Sequence, residues 1–183
     1  RALRDPDTQA EAARSRPARA SEVVFMFPGQ GATYPGMGRS LYEHEPAFRD
    51  ALDECAVIAR DALGFDLREA MFDADAQRLL PTSVMQPATF AIEYSLARTW
   101  MSQGVMPSAM IGHSVGEFVA ATLAGVFTLS DALQLVARRG ALMQAQPQGA
   151  MLSVRLPADS LRSRLPEGVS LAAENSPLAS VVA

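Results

Sequence analysis

Pro107-Ser108-Ala109-Met110-Ile111-Gly112-His113-Ser114-Val115-Gly116-Glu117 is the stretch of this 183-residue chain that decides the fold. Pro107 to Ile111 reads as a short apolar strand, and Glu117 to Leu123 as a helix ending at Gly125. Between them, Gly112-His113-Ser114-Val115-Gly116 fits a serine carried on a sharp strand-to-helix turn. Small residues on both sides keep neighbouring backbone clear while the serine is lifted out of a sheet. The helix beginning near Val115 directs N–H groups without intrahelical acceptors at the hydroxyl, which favours negative charge developing there. Two readings of these residues stay open: Ser114 is a nucleophile, or the segment is a structural turn.

Upstream, Val23 to Phe27 is a compact apolar run that suits a buried strand. Pro28-Gly29-Gln30-Gly31 stops it, and a second glycine-rich bend follows at Pro35-Gly36-Met37-Gly38. Pro46 can open a helix in which Phe48, Leu52, Cys55 and Ala59 recur at helical spacing up to Gly64. A second long helix is expected from Pro87 to Ser102, with Phe90, Tyr94, Ala97 and Met101 on one face and a left-handed cap at Gly104. Downstream, Ser130 reads as the cap of a helix running to Gln146. Strand, helix, strand and helix in this order predict an α/β core with a mainly parallel sheet.

Residues 1–22 read as an interdomain linker, with a short helix over 7–14, and residues 23–148 as one α/β unit. Residues 149–183 change style. Strands are expected over Ala150–Leu156, Val169–Ala173 and Leu178–Val182, with a helix over Asp159–Leu165 and a turn at Asn175-Ser176-Pro177.

Net charge is -4 and no dense Lys/Arg cluster exists, so the basic footprint of a nucleic-acid binder is lacking. No apolar run is long enough to span a bilayer. The single cysteine, Cys55, rules out an internal disulfide and a multi-thiolate metal site, and fits a reducing, cytoplasmic setting.

A serine nucleophile needs a base. Only His44 and His113 exist, and neither has a spacing that points to metal binding. His113 is read as a packing or hydrogen-bonding core residue, and His44 as part of a polar turn before a helix. In the helix after Ser130, Ala132, Leu135, Val136, Leu142 and Met143 form an apolar stripe that also contains Arg139, whereas Arg138 falls on the polar side. An inward guanidinium requires an anionic partner, either a ligand carboxylate or an internal acid, unless it snorkels to solvent.

Taken together, Phe27-Pro28-Gly29-Gln30-Gly31, Gly36-Met37-Gly38-Arg39, Gln86-Pro87-Ala88, Gly112-His113-Ser114-Val115-Gly116-Glu117 and Arg139-Gly140-Ala141-Leu142-Met143-Gln144 resemble the ordered motifs of malonyl-CoA:acyl-carrier-protein transacylases. The acyltransferase domains of type I polyketide synthases are the nearer likeness, from Val23 to the end of the chain. The resemblance implies an α/β-hydrolase-like core with a nucleophile elbow, plus a ferredoxin-like subdomain inserted into it and incomplete here. It implies that Ser114 is acylated by a coenzyme A thioester and passes the acyl group to the phosphopantetheine thiol of an acyl carrier protein. It also implies an oxyanion hole from the backbone N–H groups of Gln30 and Val115, a malonyl carboxylate held by Arg139, and a pocket shared with Gln86 and His113.

No bound cofactor or metal is implied, and an adjacent ketosynthase is. Val115, an aliphatic residue after the serine, goes with malonyl rather than methylmalonyl selection. Thr33 departs from the family pattern, which often has glutamine there. The family base is a histidine downstream of the serine, and no histidine follows Ser114. The expectation is therefore that the base lies beyond Ala183 and that this chain alone has little activity. Two other readings remain: a serine hydrolase or thioesterase, and a non-catalytic piece of a synthase.

Overall fold

The computed structural model describes residues 22–183 except Ala32 and Ala74. Residues 1–21 of the expected linker, with the helix over 7–14, lie outside the described residues. Contacts divide the chain between Gln144 and Ala145 into two units.

In the first unit, strand β1 (Val24–Phe27) pairs in parallel with β2 (Ala109–Gly112), in a register that sets Val24 opposite Ala109 and Phe27 opposite Gly112. The helices are α1 (Arg39–His44), α2 (Pro46–Leu63), α3 (Leu67–Phe72), α4 (Thr82–Ser102), α5 (Val115–Leu123) and α6 (Leu129–Gln144). The α/β character and the parallel pairing follow the sequence expectation. One face of β1 does not: Val24 and Met26 are exposed, while Phe27 is buried. A continuous apolar run says that a strand is present without saying which faces are covered.

Helix α2 buries the expected stripe of Phe48, Leu52, Cys55 and Ala59 and packs on α4 and α6. Helix α4 begins at Thr82, five residues before the expected start, so Pro87 lies inside it. Proline there cannot donate a backbone bond to the Ser83 carbonyl. Every residue from Gln86 to Ser95 is nonetheless buried, and packing on all sides outweighs the lost bond. Gly104, just beyond the helix, has φ +83°, the left-handed conformation expected of it.

Helix α6 corrects two expectations. Its start is capped by Thr128, not Ser130: the Asp131 N–H donates to Thr128 Oγ1 at 3.1 Å, and Thr128 Oγ1 donates to the Asp131 carboxylate at 2.7 Å. Its buried residues are Ala132, Leu133, Val136, Ala137 and Gly140, whereas Leu135, Leu142 and Met143 are exposed. The contact face is therefore rotated, because small residues let α6 approach α4 closely. A Cβ on Gly140 would lie 2.9 Å from the Thr82 carbonyl oxygen. Arg139 sits at the margin of this face, half-buried, and Arg138 is exposed as expected.

Glu93, within α4, is 7% exposed, and neither carboxylate oxygen has a hydrogen-bond partner. Burial alone raises its pKa to about 8.

The second unit contains β3 (Leu152–Val154), α7 (Ala158–Arg162), β4 (Leu171–Ser176) and β5 (Ala179–Val182). The β-α-β-β order is the expected one, with the hairpin turn one residue later, at Pro177-Leu178. Strand β5 lies between β3 and β4 and is antiparallel to both, a split β-α-β arrangement.

Candidate active site

Ser114 stands between β2 and α5 with φ 54° and ψ −117°, the one non-glycine residue with positive φ among those described. A residue held in such a conformation marks a strained position that the surrounding packing must fix. The packing here is tight. A Cβ on Gly116 would lie 2.3 Å from the Phe27 carbonyl oxygen, and one on Gly112 would lie 2.3 Å from the Glu117 nitrogen. Only glycine lets α5 start this close to β1 and β2, so the two glycines of the motif follow from the elbow geometry.

The Pro28–Gly31 loop leaves β1 beside the elbow. A Cβ on Gly29 would stand 3.2 Å from Ser114 Cβ and 2.9 Å from His113 Nδ1. The segment carrying the Gln30 amide is thereby brought to the serine. Two side chains tie it to α4: Gln30 Nε2 donates to Thr82 Oγ1 at 2.9 Å, and the Thr33 and Thr89 hydroxyls are bonded at 2.7 Å. Thr33 thus fastens the loop two helical turns beyond Thr82. Val115 is the first residue of α5, and its N–H is one that a helix leaves without an intrahelical acceptor. Its side chain is fully buried in the core.

Arg139 reaches the serine from α6. Its Nη2 donates to Ser114 Oγ at 3.3 Å and its Nη1 to Gln86 Oε1. No carboxylate pairs with Arg139 among the described residues, which removes the internal ion pair as an account of it. Gln86 is fully buried and donates from Nε2 to Thr82 Oγ1 at 3.0 Å and to Met143 Sδ at 3.2 Å. The arrangement sets a serine hydroxyl at a helix N-terminus beside a guanidinium that has no acidic partner among the described residues.

The histidines behave differently from expectation. His113 is exposed, not a core residue, because its ring lies along the outside of Gly29. His44 ends α1, exposed, with Nδ1 bonded to the Ser40 carbonyl at 2.8 Å. Neither is bonded to Ser114. An apolar cavity of about 440 Å³ between β1 and α4 is lined by none of Ser114, Gln30, Gln86 or Arg139. Thr82 is the site residue that the sequence reading passes over. Its spacing of four from Gln86 is the one available signal, and threonine at such a spacing is too common to stand out.

Residues 24–183 match the acyl transferase domain family. The chain is 47% identical over 161 residues to a phenolphthiocerol/phthiocerol polyketide synthase of Mycobacterium tuberculosis, covering 88% of this chain and 11% of that protein. It is 41% identical over 170 residues to erythronolide synthase EryA3 of Saccharopolyspora erythraea, covering 90% of this chain and 5% of that one. Among solved structures, the acyltransferase domain from the second module of the salinomycin polyketide synthase superposes with TM-score 0.83 at 43% identity, over 97% of this chain and 46% of that one. The malonyl-CoA:ACP transacylase of Synechocystis sp. PCC 6803 does so with TM-score 0.75 at 31% identity, over 88% and 54%. The chain thus spans a small part of the synthases and about half of the solved domains. With the elbow, the glycine loop and the arginine in place, this chain belongs to the acyl transferase domain family, alongside the acyltransferase domains of type I polyketide synthases.

Proposed function

We propose that this chain carries the nucleophile and the carboxylate clamp of an acyltransferase that moves a malonyl unit from coenzyme A to the phosphopantetheine thiol of an acyl carrier protein within a polyketide synthase. Ser114 Oγ bonds to the thioester carbonyl carbon while its proton passes to a base outside residues 22–183. The N–H groups of Gln30 and Val115 stabilise the oxyanion. Collapse breaks the C–S bond, and the departing thiolate of coenzyme A takes up the proton. The carrier thiol then attacks the acyl-serine ester and releases Ser114 by the reverse steps. Arg139 holds the free carboxylate of the acyl group, Gln86 orients Arg139, and His113 borders the acyl group from the exposed side. In this reading the elbow and the parallel pair belong to an α/β-hydrolase-like core, and the second unit to a ferredoxin-like subdomain. Residues 1–183 alone label feebly, since the base must come from elsewhere.

The observation that carries the proposal is the Arg139 guanidinium, which has no acidic partner among the described residues and lies within reach of Ser114 Oγ. Its test is incubation of the complete acyltransferase domain with malonyl-CoA, followed by peptide mass measurement. One peptide containing Ser114 gains a malonyl mass, and Ser114→Ala abolishes the gain. Labelling that persists in that variant rejects the proposal. Release of malonate to water faster than transfer to carrier protein would favour a hydrolase.

A further inference from the structure

We infer that Thr82 is a positioning residue which locks the arginine clamp and the glutamine loop into one geometry. The inference rests on the roles proposed for Arg139 and Gln30. A threonine hydroxyl has one proton to donate and two lone pairs to accept. All three are used here. Thr82 Oγ1 accepts from Gln30 Nε2 at 2.9 Å and from Gln86 Nε2 at 3.0 Å, and it donates to Gln30 Oε1 at 3.2 Å.

The backbone of the same residue is pinned to the arginine's own helix. The Thr82 N–H donates to Gln144 Oε1 at 2.8 Å, and a Cβ on Gly140 would lie 2.9 Å from the Thr82 carbonyl oxygen. Thr82 is therefore a fixed point where the start of α4 meets α6 next to Arg139. One side of its hydroxyl leads through Gln86 to the guanidinium, and the other holds the side chain of Gln30, whose backbone amide is the proposed oxyanion donor. No other side chain among the described residues is bonded to both Gln30 and Gln86.

Removing the hydroxyl leaves the buried Gln86 amide with the Met143 sulfur, a weak acceptor, and leaves Gln30 without its tie to α4. Both groups then loosen together. A misplacement of about 1 Å at a catalytic constellation costs on the order of 100-fold in rate. Thr82 touches no reacting atom, so its contribution is geometric.

The test uses the complete domain with malonyl-CoA and acetyl-CoA in competition, comparing Thr82→Val, Thr82→Ala and Thr82→Ser with Arg139→Ala. Valine keeps the shape and alanine keeps the helix start, so one folded variant without the hydroxyl is enough; melting curves identify it. The expected result is a fall of about 10- to 100-fold in kcat/KM for malonyl-CoA, with a lower malonyl-to-acetyl ratio. Serine, which restores the hydroxyl, should recover both. The inference is overturned if the hydroxyl-free variant matches the parent, if serine fails to rescue it, or if rate falls while the acyl preference stays unchanged. Arg139→Ala separates the two levels. A collapsed preference there with an unaffected Thr82→Val leaves the proposed function standing and removes only the role of Thr82. An unchanged preference in Arg139→Ala removes both.

Discussion

Arg139 Nη2 lies 3.3 Å from Ser114 Oγ, although the two residues are 25 apart in the chain. One comes from the middle of α6 and the other from the turn that begins α5, so the contact depends on how α4, α5 and α6 pack. In the proposed function, a guanidinium in that place binds an acyl carboxylate beside Ser114.

That relationship predicts a selective defect. Arg139→Ala should depress malonyl transfer while sparing acetyl transfer, because a desolvated carboxylate left unpaired costs about 2–5 kcal/mol, or roughly 30- to several-thousand-fold in preference. Competition between equimolar malonyl-, methylmalonyl- and acetyl-CoA on the complete domain measures it. A parent domain that prefers acetyl-CoA, or a variant with an unchanged ratio, would show that Arg139 is merely structural.

Gly116→Ala should damage the elbow without touching the hydroxyl. The new Cβ would meet the Phe27 carbonyl oxygen at 2.3 Å, which is backbone on a paired strand and cannot swing aside. Overpacking of this kind costs about 1–3 kcal/mol. A lowered melting temperature together with slower serine acylation is expected. An unchanged melt would mean that β1 and α5 separate more easily than their packing implies.

Glu93 gives a pH dependence of definite sign. Its folded pKa, about 8, lies above the ordinary value of 4.5, so between those values the folded state keeps a proton that the unfolded state has lost. Its contribution is fully present below about pH 4.5 and is lost as pH rises through about 8. The slope is up to about 1.4 kcal/mol per pH unit, less where solvent screens the carboxylate. Denaturant titrations of this chain at several pH values should show it, and Glu93→Gln should flatten it. Stability that rises over that range in the parent alone contradicts the assignment.

Cys55 should be inert in the folded chain. It is fully buried, and burial pushes its thiol well above the ordinary range. Iodoacetamide at mildly alkaline pH should leave it unmodified until denaturant is added, as read by intact mass. Rapid labelling without denaturant would show that α2 opens locally.

Some of this protein is written locally. The serine turn was legible because glycine at 112 and 116 is demanded by contacts within a few residues of the serine and with one neighbouring strand. The helix end at Gly104 was legible because a left-handed residue there is a local steric choice. The stripe of α2 was legible because that helix is buried on one side only. Motif order grouped Gln30, Val115 and Arg139 around Ser114 as an expectation, and Arg139 lies within hydrogen-bond reach of that serine.

Other features were settled only when the helices packed. Pro87 reads as a helix start, yet it sits inside α4, because burial on all sides erases the periodic signal and outweighs one missing backbone bond. Leu135, Leu142 and Met143 read as core and are exposed, because the close approach at Gly140 rotates the contact face of α6 toward small residues. Thr82 has only its spacing of four from Gln86 to mark it, which is too common a pattern to stand out. Its three hydroxyl bonds join residues 52 positions away on one side and four on the other, and such a junction exists only once α4, α6 and the glycine loop have met. Residue order dictates the local turns and the kinds of group present. Which of those groups touch depends on the packed chain, since hydrogen bonds between distant segments follow from helix packing and not from local propensity.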